Sequence, residues 1–190
     1  MAELRLPDPP LSDGAVALRA FTLDDVAWVV EGCSDPAVAR FTGVPAPYTE
    51  THARDWIGGH ADERALGEAI HLAIVDADGG APLGSVGLMG IDWDHLRGDV
   101  GYWIGPWGRG QEAAPRAVRL LAAHGFEALG LQRIEIVPYA DNPASQRVAE
   151  KAGATREGVL RSYFVARGTR HDCVMYSLLP DDLSPGGEAP

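Results

Sequence analysis

Between Asp99 and Lys151 the chain runs through a strand, a glycine–proline loop, an amphipathic helix, a second strand and a capped helix, and this order constrains the fold more than any other stretch. Ala114, Ala117, Val118, Leu121, Ala122 and Leu129 recur at three- and four-residue steps, which predicts a core-facing helix over 113–129 with Arg116, Arg119 and Glu127 off its apolar stripe. Pro115 fits the first turn, where its missing N–H costs nothing. Pro106, Gly108 and Gly110 ahead of it let the backbone turn tightly. A helix start reached this way presents unpaired N–H groups and a positive dipole end, so it can hold a phosphate without a dedicated cation.

With 190 residues and 46% hydrophobic content, the chain is read as one globular domain able to bury about 70% of its unfolded surface. Cys33 and Cys173 have no ligand-like spacing and read as small hydrophobes, so no metal or disulfide is required. The net charge of −11 argues against a nucleic-acid partner, because that affinity comes from clustered Lys and Arg. No apolar run approaches the roughly 18 residues of a membrane span, and the start lacks the basic and apolar regions of a signal peptide. A cytoplasmic location without membrane association is the expectation. Lys151 is the only lysine.

The coarse order is a loosely held segment 1–13, a single domain over 14–180 and a disordered tail over 181–190. Within the domain, strand 16–20 precedes helices over 23–34, 35–40 and 50–65, with Thr22 as an N-cap. Strands follow over 70–76, 83–92 and 99–104, and after the central helix another over 133–139. A helix capped by Asn142 with Pro143 at its first position leads to a hairpin, 158–165 and 172–178, turning at Arg167-Gly168-Thr169-Arg170. The fold class is mixed α/β.

The run Gly101-Tyr102-Trp103-Ile104-x-Pro106, then Arg109 through Ala114, then Asp141-Asn142-Pro143-Ala144-Ser145 continuing to Lys151-Ala152-Gly153-Ala154, resembles the GNAT superfamily of N-acetyltransferases, and within it the RimJ/RimL-like branch. The likeness extends from Val16 to Leu179. It implies a central twisted mixed sheet of about seven strands with helices on both faces. In that fold the fourth and fifth strands splay to admit the acyl-pantetheine arm. It also implies acetyl-CoA as co-substrate, no metal, and direct attack of an amine on the thioester in a ternary complex. A homodimer is in keeping with it.

The resemblance places cofactor contacts on Trp103, Ile104, Arg109, Gly110, Gln111, Glu112, Ala113, Ala114, Asn142 and Ser145. One of these departs from the pattern: Glu112 occupies the place of the loop's fourth-position glycine. A carboxylate about 4 Å from a phosphate is repelled by roughly 1 kcal/mol even in water, unless the side chain points away and leaves only its N–H on the ligand. An alignment with Gly110 at that position lengthens the loop by two residues and breaks the spacing from Gly101 to Leu121.

Acetyl transfer needs a polarised thioester, a neutral amine and a proton for the leaving thiolate. Main-chain groups of Trp103 and Ile104 at a splayed edge can serve as preset dipoles, while the side chains of Tyr102 and Trp103 can equally be core. By resemblance Ser145 is the proton donor, with Tyr139 as a second candidate, and Asn142 orients the pantetheine arm. Asn142 also caps its helix whatever else it does. Asp99, then Glu135, are the carboxylates nearest the expected slot for a base, with His71 and His95 as further candidates. The branch's catalytic glutamate has no counterpart, since its place falls near Phe164.

Asp92, Trp93 and Asp94 form a loop able to attract and stack on a cationic amine, or simply to make a turn. The acceptor is then a protein N-terminal α-amine or a small-molecule amine. The alternative is a catalytically silent acyl-CoA-binding module, motivated by Glu112 and the missing base.

Overall fold

The computed structural model describes residues 3–183. Its sheet has eight strands in the order β1-β2-β3-β4-β5-β6-β8-β7. These are β1 (Leu11–Ser12), β2 (Val16–Arg19), β3 (Ile70–Asp76), β4 (Pro82–Asp92), β5 (Arg97–Ile104), β6 (Arg133–Ile136), β7 (Thr155–Ala166) and β8 (Thr169–Leu178). All neighbours pair antiparallel except β5 and β6, which are parallel. The expected strand count of about seven rises by the short β1, whose Leu11 and Ser12 pair with Leu18 and Ala17.

The helices are α1 (Val26–Ser34), α2 (Pro36–Phe41), α3 (Glu50–Ala65), α4 (Ala113–Glu127) and α5 (Pro143–Lys151). The apolar stripe of the sequence is the buried face of α4: Ala113, Ala114, Ala117, Val118, Leu121 and Ala122 are all buried. They join Leu72, Val86, Leu88 and Val100 of the sheet in the main core. A Cβ on Gly125 would stand 3.3 Å from Ile134, so the helix lies close on β6. The opposite face carries a second core of Val26, Val29, Cys33, Ala53 and Ile57, against which Trp103 packs. Neighbouring residues of β5 therefore serve different layers, as the two-residue period of a strand requires.

Several boundaries shift for identifiable reasons. The first helix opens as a 3-10 turn over Leu23–Asp25 before α1 begins. The strand expected over 133–139 stops at Ile136, because Pro138 cannot donate to a ladder; Tyr139 keeps only an isolated bridge to Cys173. The hairpin is longer than expected, turning on Arg167 and Gly168, both at positive φ.

The segment 1–13, expected to be loosely held, is tied down from residue 3 onward. Leu4 is buried and donates its N–H to Arg64 O at 2.9 Å, and Asp13 accepts from Arg116 Nη1 at 2.7 Å. Of the expected tail 181–190, the first residues belong to a 3-10 turn, Pro180–Leu183, and 184–190 lie outside the described residues.

Asp25 ties β2 to the α1 layer. Its carboxylate accepts from Arg19 at both oxygens, 2.8 Å each, from Thr22 N–H at 2.8 Å and from the Trp28 indole at 2.8 Å. Burial pushes this carboxyl up, but those four donors outweigh burial and hold it below the ordinary carboxylate range. Its contribution to stability is thus present above the unfolded value of about 4 and is lost as pH falls through the lower folded value. Asp25→Ala is expected to cost about 2 kcal/mol in urea denaturation at pH 7, since Arg19 keeps some access to water. The gap between wild type and variant should shrink below about pH 4; a pH-independent gap would remove the carboxylate from the account.

Candidate active site

The site begins where β5 and β6 part. They pair at Arg97↔Arg133, Gly98↔Ile134 and Asp99↔Glu135, after which β5 runs on to Ile104 along β4 alone. Val137 and Pro138 lead away with β8, where Val174 N–H donates to Pro138 O at 2.9 Å. The fork opens one edge of β5 onto a continuous cavity of about 1770 Å³. This is the splay expected from the sequence, falling here between the fifth and sixth strands because β1 adds one to the count.

Tyr102 spans the fork. Its hydroxyl donates to Ser145 O at 3.0 Å and lies 2.8 Å from Ser145 Oγ, so the serine hydroxyl is free to donate back to it. Burial pushes the phenol far above its ordinary range and keeps it protonated. Ser145 itself sits in the first turn of α5, where Asn142 Oδ1 accepts its N–H at 3.1 Å. Asn142 is the helix cap, as the sequence predicts.

At the loop before α4, Gly110 (φ +77°) has open space where a Cβ would be, and Glu112 sits at φ +57°, in the left-handed region that favours glycine. That conformation is the physical demand behind a glycine at this loop position. The Glu112 carboxylate is turned onto Lys151 Nζ at 2.6 Å, so the chain's only lysine offsets the loop's one acid. Lys151 and the neighbouring Arg116 lower the Glu112 carboxyl. Arg109 pairs with Asp35, the residue that caps α2 by accepting from Ala37 and Val38 N–H. Gln111 is exposed and donates to Trp107 O at 3.0 Å; its side chain is not part of the cavity wall.

Of the residues singled out from the sequence, the cavity gathers Trp103, Ile104, Arg109, Gly110, Glu112, Ala113, Ala114, Tyr139, Asn142 and Ser145. Tyr139 closes the β6 side among the rings of Phe41, Phe164 and His171, and burial raises its phenol.

The structure does not bring Asp99 to the cavity wall: it is exposed on the last paired rung, opposite Glu135. Glu135 is itself buried and taken by Arg133 Nε at 2.6 Å. Asp92, Trp93 and Asp94 are corrected likewise. They form the β4–β5 turn, with Asp92 accepting from His95 N–H at 3.0 Å and the Trp93 indole donating to Gly67 O at 3.1 Å. This turn lies at the paired end of β5 and β6, and the cavity opens along the other end of β5 toward Ile104 without these residues in its wall.

Several lining residues escape a reading of the sequence. From α3 come His52, Asp55 and Trp56; from α5 and the hairpin come Arg147, Lys151 and Arg167. Arg147 and Lys151 lie inside the motif run that begins at Asp141, but no local motif marks His52, Asp55, Trp56 or Arg167, since their meeting depends on how α3 and the hairpin cross the sheet. His71 also lines the cavity, its ring pushed down to about 4 by burial. Cys33 lines it too, with burial pushing its thiol up to about 12, which leaves it unreactive.

A fork in a sheet, an N-terminal helix loop beneath it and a capped helix with a serine across it define a family, and comparison with known proteins agrees. Residues 16–155 match the GNAT acetyltransferase domain model, and the chain belongs to that family. It is 32% identical to the uncharacterised N-acetyltransferase p20 of Bacillus licheniformis over 167 residues, 86% of this chain and 92% of that protein. In structure it resembles RimJ of Mycobacterium smegmatis, solved with a CoA disulfide (TM-score 0.81, 20% identity, 93% of this chain and 88% of the other). It also resembles RimL, the ribosomal L7/L12 α-N-protein acetyltransferase, solved with coenzyme A (TM-score 0.78, 22% identity, 90% and 96%). The chain is an N-acetyltransferase of mixed α/β fold with RimJ/RimL-like structural neighbours. Among the described residues no helix is long and apolar enough to cross a membrane.

The Tyr102–Ser145 contact has a measurable cost. Tyr102→Phe should lose about 1 kcal/mol of unfolding free energy, the value of a net side-chain hydrogen bond, because it removes the donor to Ser145 O while keeping the ring. No loss on denaturant unfolding would mean that the phenol exchanges this partner for water freely.

Proposed function

We propose that the chain transfers the acetyl group of acetyl-CoA to the α-amine of a peptide or protein N-terminus, by direct attack in a ternary complex. The observation that carries the reading is the single cavity that runs along the free edge of β5 and is walled by the α4 loop, by α5 and by α3. The residues fit such a co-substrate: Gly110 leaves room for close approach, the first-turn N–H groups of α4 can receive an anion, Arg147 supplies a cation in the wall, and Lys151 draws off the Glu112 carboxylate. The thioester supplies the activated acyl group.

The chain's own groups then have definite tasks. On the free edge of β5 the Ile104 N–H offers a main-chain donor for a carbonyl oxygen, while Trp103, like Gly105, turns its main chain toward β4. Ser145 protonates the departing sulfur by turning its hydroxyl away from Tyr102, while Asn142 holds its turn. Asp55 in the cavity wall attracts a cationic amine, and Tyr48 and Trp56 line the same cavity. His71 at about 4 is too weak a base to deprotonate a side-chain amine near 10.4, whereas an α-amine near 8 is already partly neutral at pH 7. This difference favours the N-terminal amine, and the likeness to RimL, an α-N-protein acetyltransferase, supports the same class.

Calorimetric titration with acetyl-CoA followed by a thiol-release assay tests this reading. Release is expected with a peptide carrying a free N-terminus and not with an N-acetylated peptide containing lysine. Binding without thiol release for any amine would instead make the chain a silent CoA-binding module. Ser145→Ala is expected to lower kcat by about 10²-fold with KM for acetyl-CoA within about threefold; equal losses in both would reduce Ser145 to a contact residue.

Lys151→Ala frees the Glu112 charge beside the loop and should weaken acetyl-CoA binding by about tenfold, equivalent to roughly 1.4 kcal/mol. Glu112→Gly in that background should restore most of the loss, since both the repulsion and the left-handed strain disappear. No rescue would mean that Lys151 binds the ligand directly.

A further inference from the structure

Beneath the α3 side of the cavity lies a polar group that acetyl transfer does not use. His60 and Glu63 project from consecutive turns of α3, and His71 stands on β3 below them. One donor atom from each residue lies within 4.8 Å of the other two. His71 Nε2 is 3.3 Å from Glu63 Oε2, but Glu63 Oε2 makes no hydrogen bond. His60 is 4% exposed and its Nε2 has no partner either. The two imidazoles stack with ring centroids 4.8 Å apart, and Trp56 meets both edge-on, so the rings are packed while the Nε2 of His60 goes unsatisfied.

Leaving a buried polar atom unpaired costs roughly 1–3 kcal/mol, and two such atoms side by side need a common explanation. Packing alone does not supply it, because an apolar ring at position 60 would fill the same space without that cost. A proton can bridge only two of the three atoms. A divalent cation engages all of them, and it takes imidazole in the neutral form that burial imposes on both rings, pushing His60 down to about 3 and His71 to about 4.

We propose that His60, Glu63 and His71 form a binding site for a zinc-class divalent cation, with the fourth coordination position open toward the cavity that His71 lines. Two imidazoles and one carboxylate are a donor set for Zn²⁺ and Co²⁺ rather than for Mg²⁺ or Ca²⁺, which take oxygen ligands. Ligands about 2.0–2.1 Å from a tetrahedral ion stand about 3.4 Å from one another, which the His71–Glu63 separation already meets. A shift of the His60 ring toward Glu63 and His71 would complete the set, whose donor atoms lie within 4.8 Å of one another.

The test uses the full chain, freed of metal with a chelator and titrated with CoCl₂, read by visible absorption. Binding of one Co²⁺ per chain with the intense bands of a four-coordinate ion, displaced by one equivalent of Zn²⁺, is expected. Glu63→Gln keeps the shape of a partly exposed side chain and should weaken Co²⁺ by about 100-fold while leaving the unfolding midpoint of the metal-free chain within a degree or two. His71→Asn is a second variant with the same expected loss. Absence of four-coordinate bands at stoichiometric Co²⁺, or equal affinity in wild type and both variants, would overturn the proposal and leave the trio to a buried water.

Discussion

The parting of β5 from β6 is the constraint on which the rest of the molecule depends. Two parallel strands that stay paired would close the sheet over the space that the cavity occupies; these pair for three rungs and separate at Asp99 and Glu135. Pro138 keeps the β6 side from rejoining, and the free edge of β5 is held in place from both faces. Tyr102 reaches α5 on one side, while Trp103 is wedged against α1, where a Cβ on Gly32 would stand 2.5 Å from its ring. The main-chain groups left over by the fork are therefore positioned by a rigid scaffold, which is what electrostatic preorganisation requires.

Charge in the site is arranged as pairs. Glu112 with Lys151 is solvent-accessible, so it adds little to stability and can change partners at little cost when an anion arrives, whereas in the other pair Arg109 is exposed and Asp35 stays committed to the α2 cap. The departure of Glu112 from the glycine pattern is legible in the same terms. The backbone still adopts the left-handed conformation that a glycine would take, and the carboxylate is drawn off by the one lysine in the chain. The overall negative charge of the protein does not govern this region, because Arg147 and Lys151 of α5 and Arg167 of the β7–β8 turn all line the cavity.

Part of this arrangement is legible in the amino-acid sequence. The stripe of α4, the Asn142 cap and the bounds of α3 and β3 follow from periodicity and capping, which act over a few residues. The cavity-lining residues of β5, the α4 loop and α5 are legible too, because motif and loop lie together between Gly101 and Ser145. The α3 side of the cavity is not. Asp92, Trp93 and Asp94 have the right chemistry at the wrong end of β5, and the residues of α3 that do line the cavity carry no local mark. Charge and aromaticity identify what a side chain can do, but only the crossing of helices over the sheet determines where it does it.

Residues close together in the chain are enough to specify the family, the mixed α/β class, the helix that presents its N-terminus to the loop, and the serine and asparagine that face it. All of these depend on contacts within a turn, a strand or one contiguous motif. Other relations arise only in the folded molecule: Glu112 is neutralised by Lys151, Tyr102 holds Ser145 across the fork, and the unpaired polar atoms of His60 and Glu63 meet His71. These join residues from separate elements, and their energies exist only once the long-range packing of sheet and helices has brought the atoms within a few ångströms.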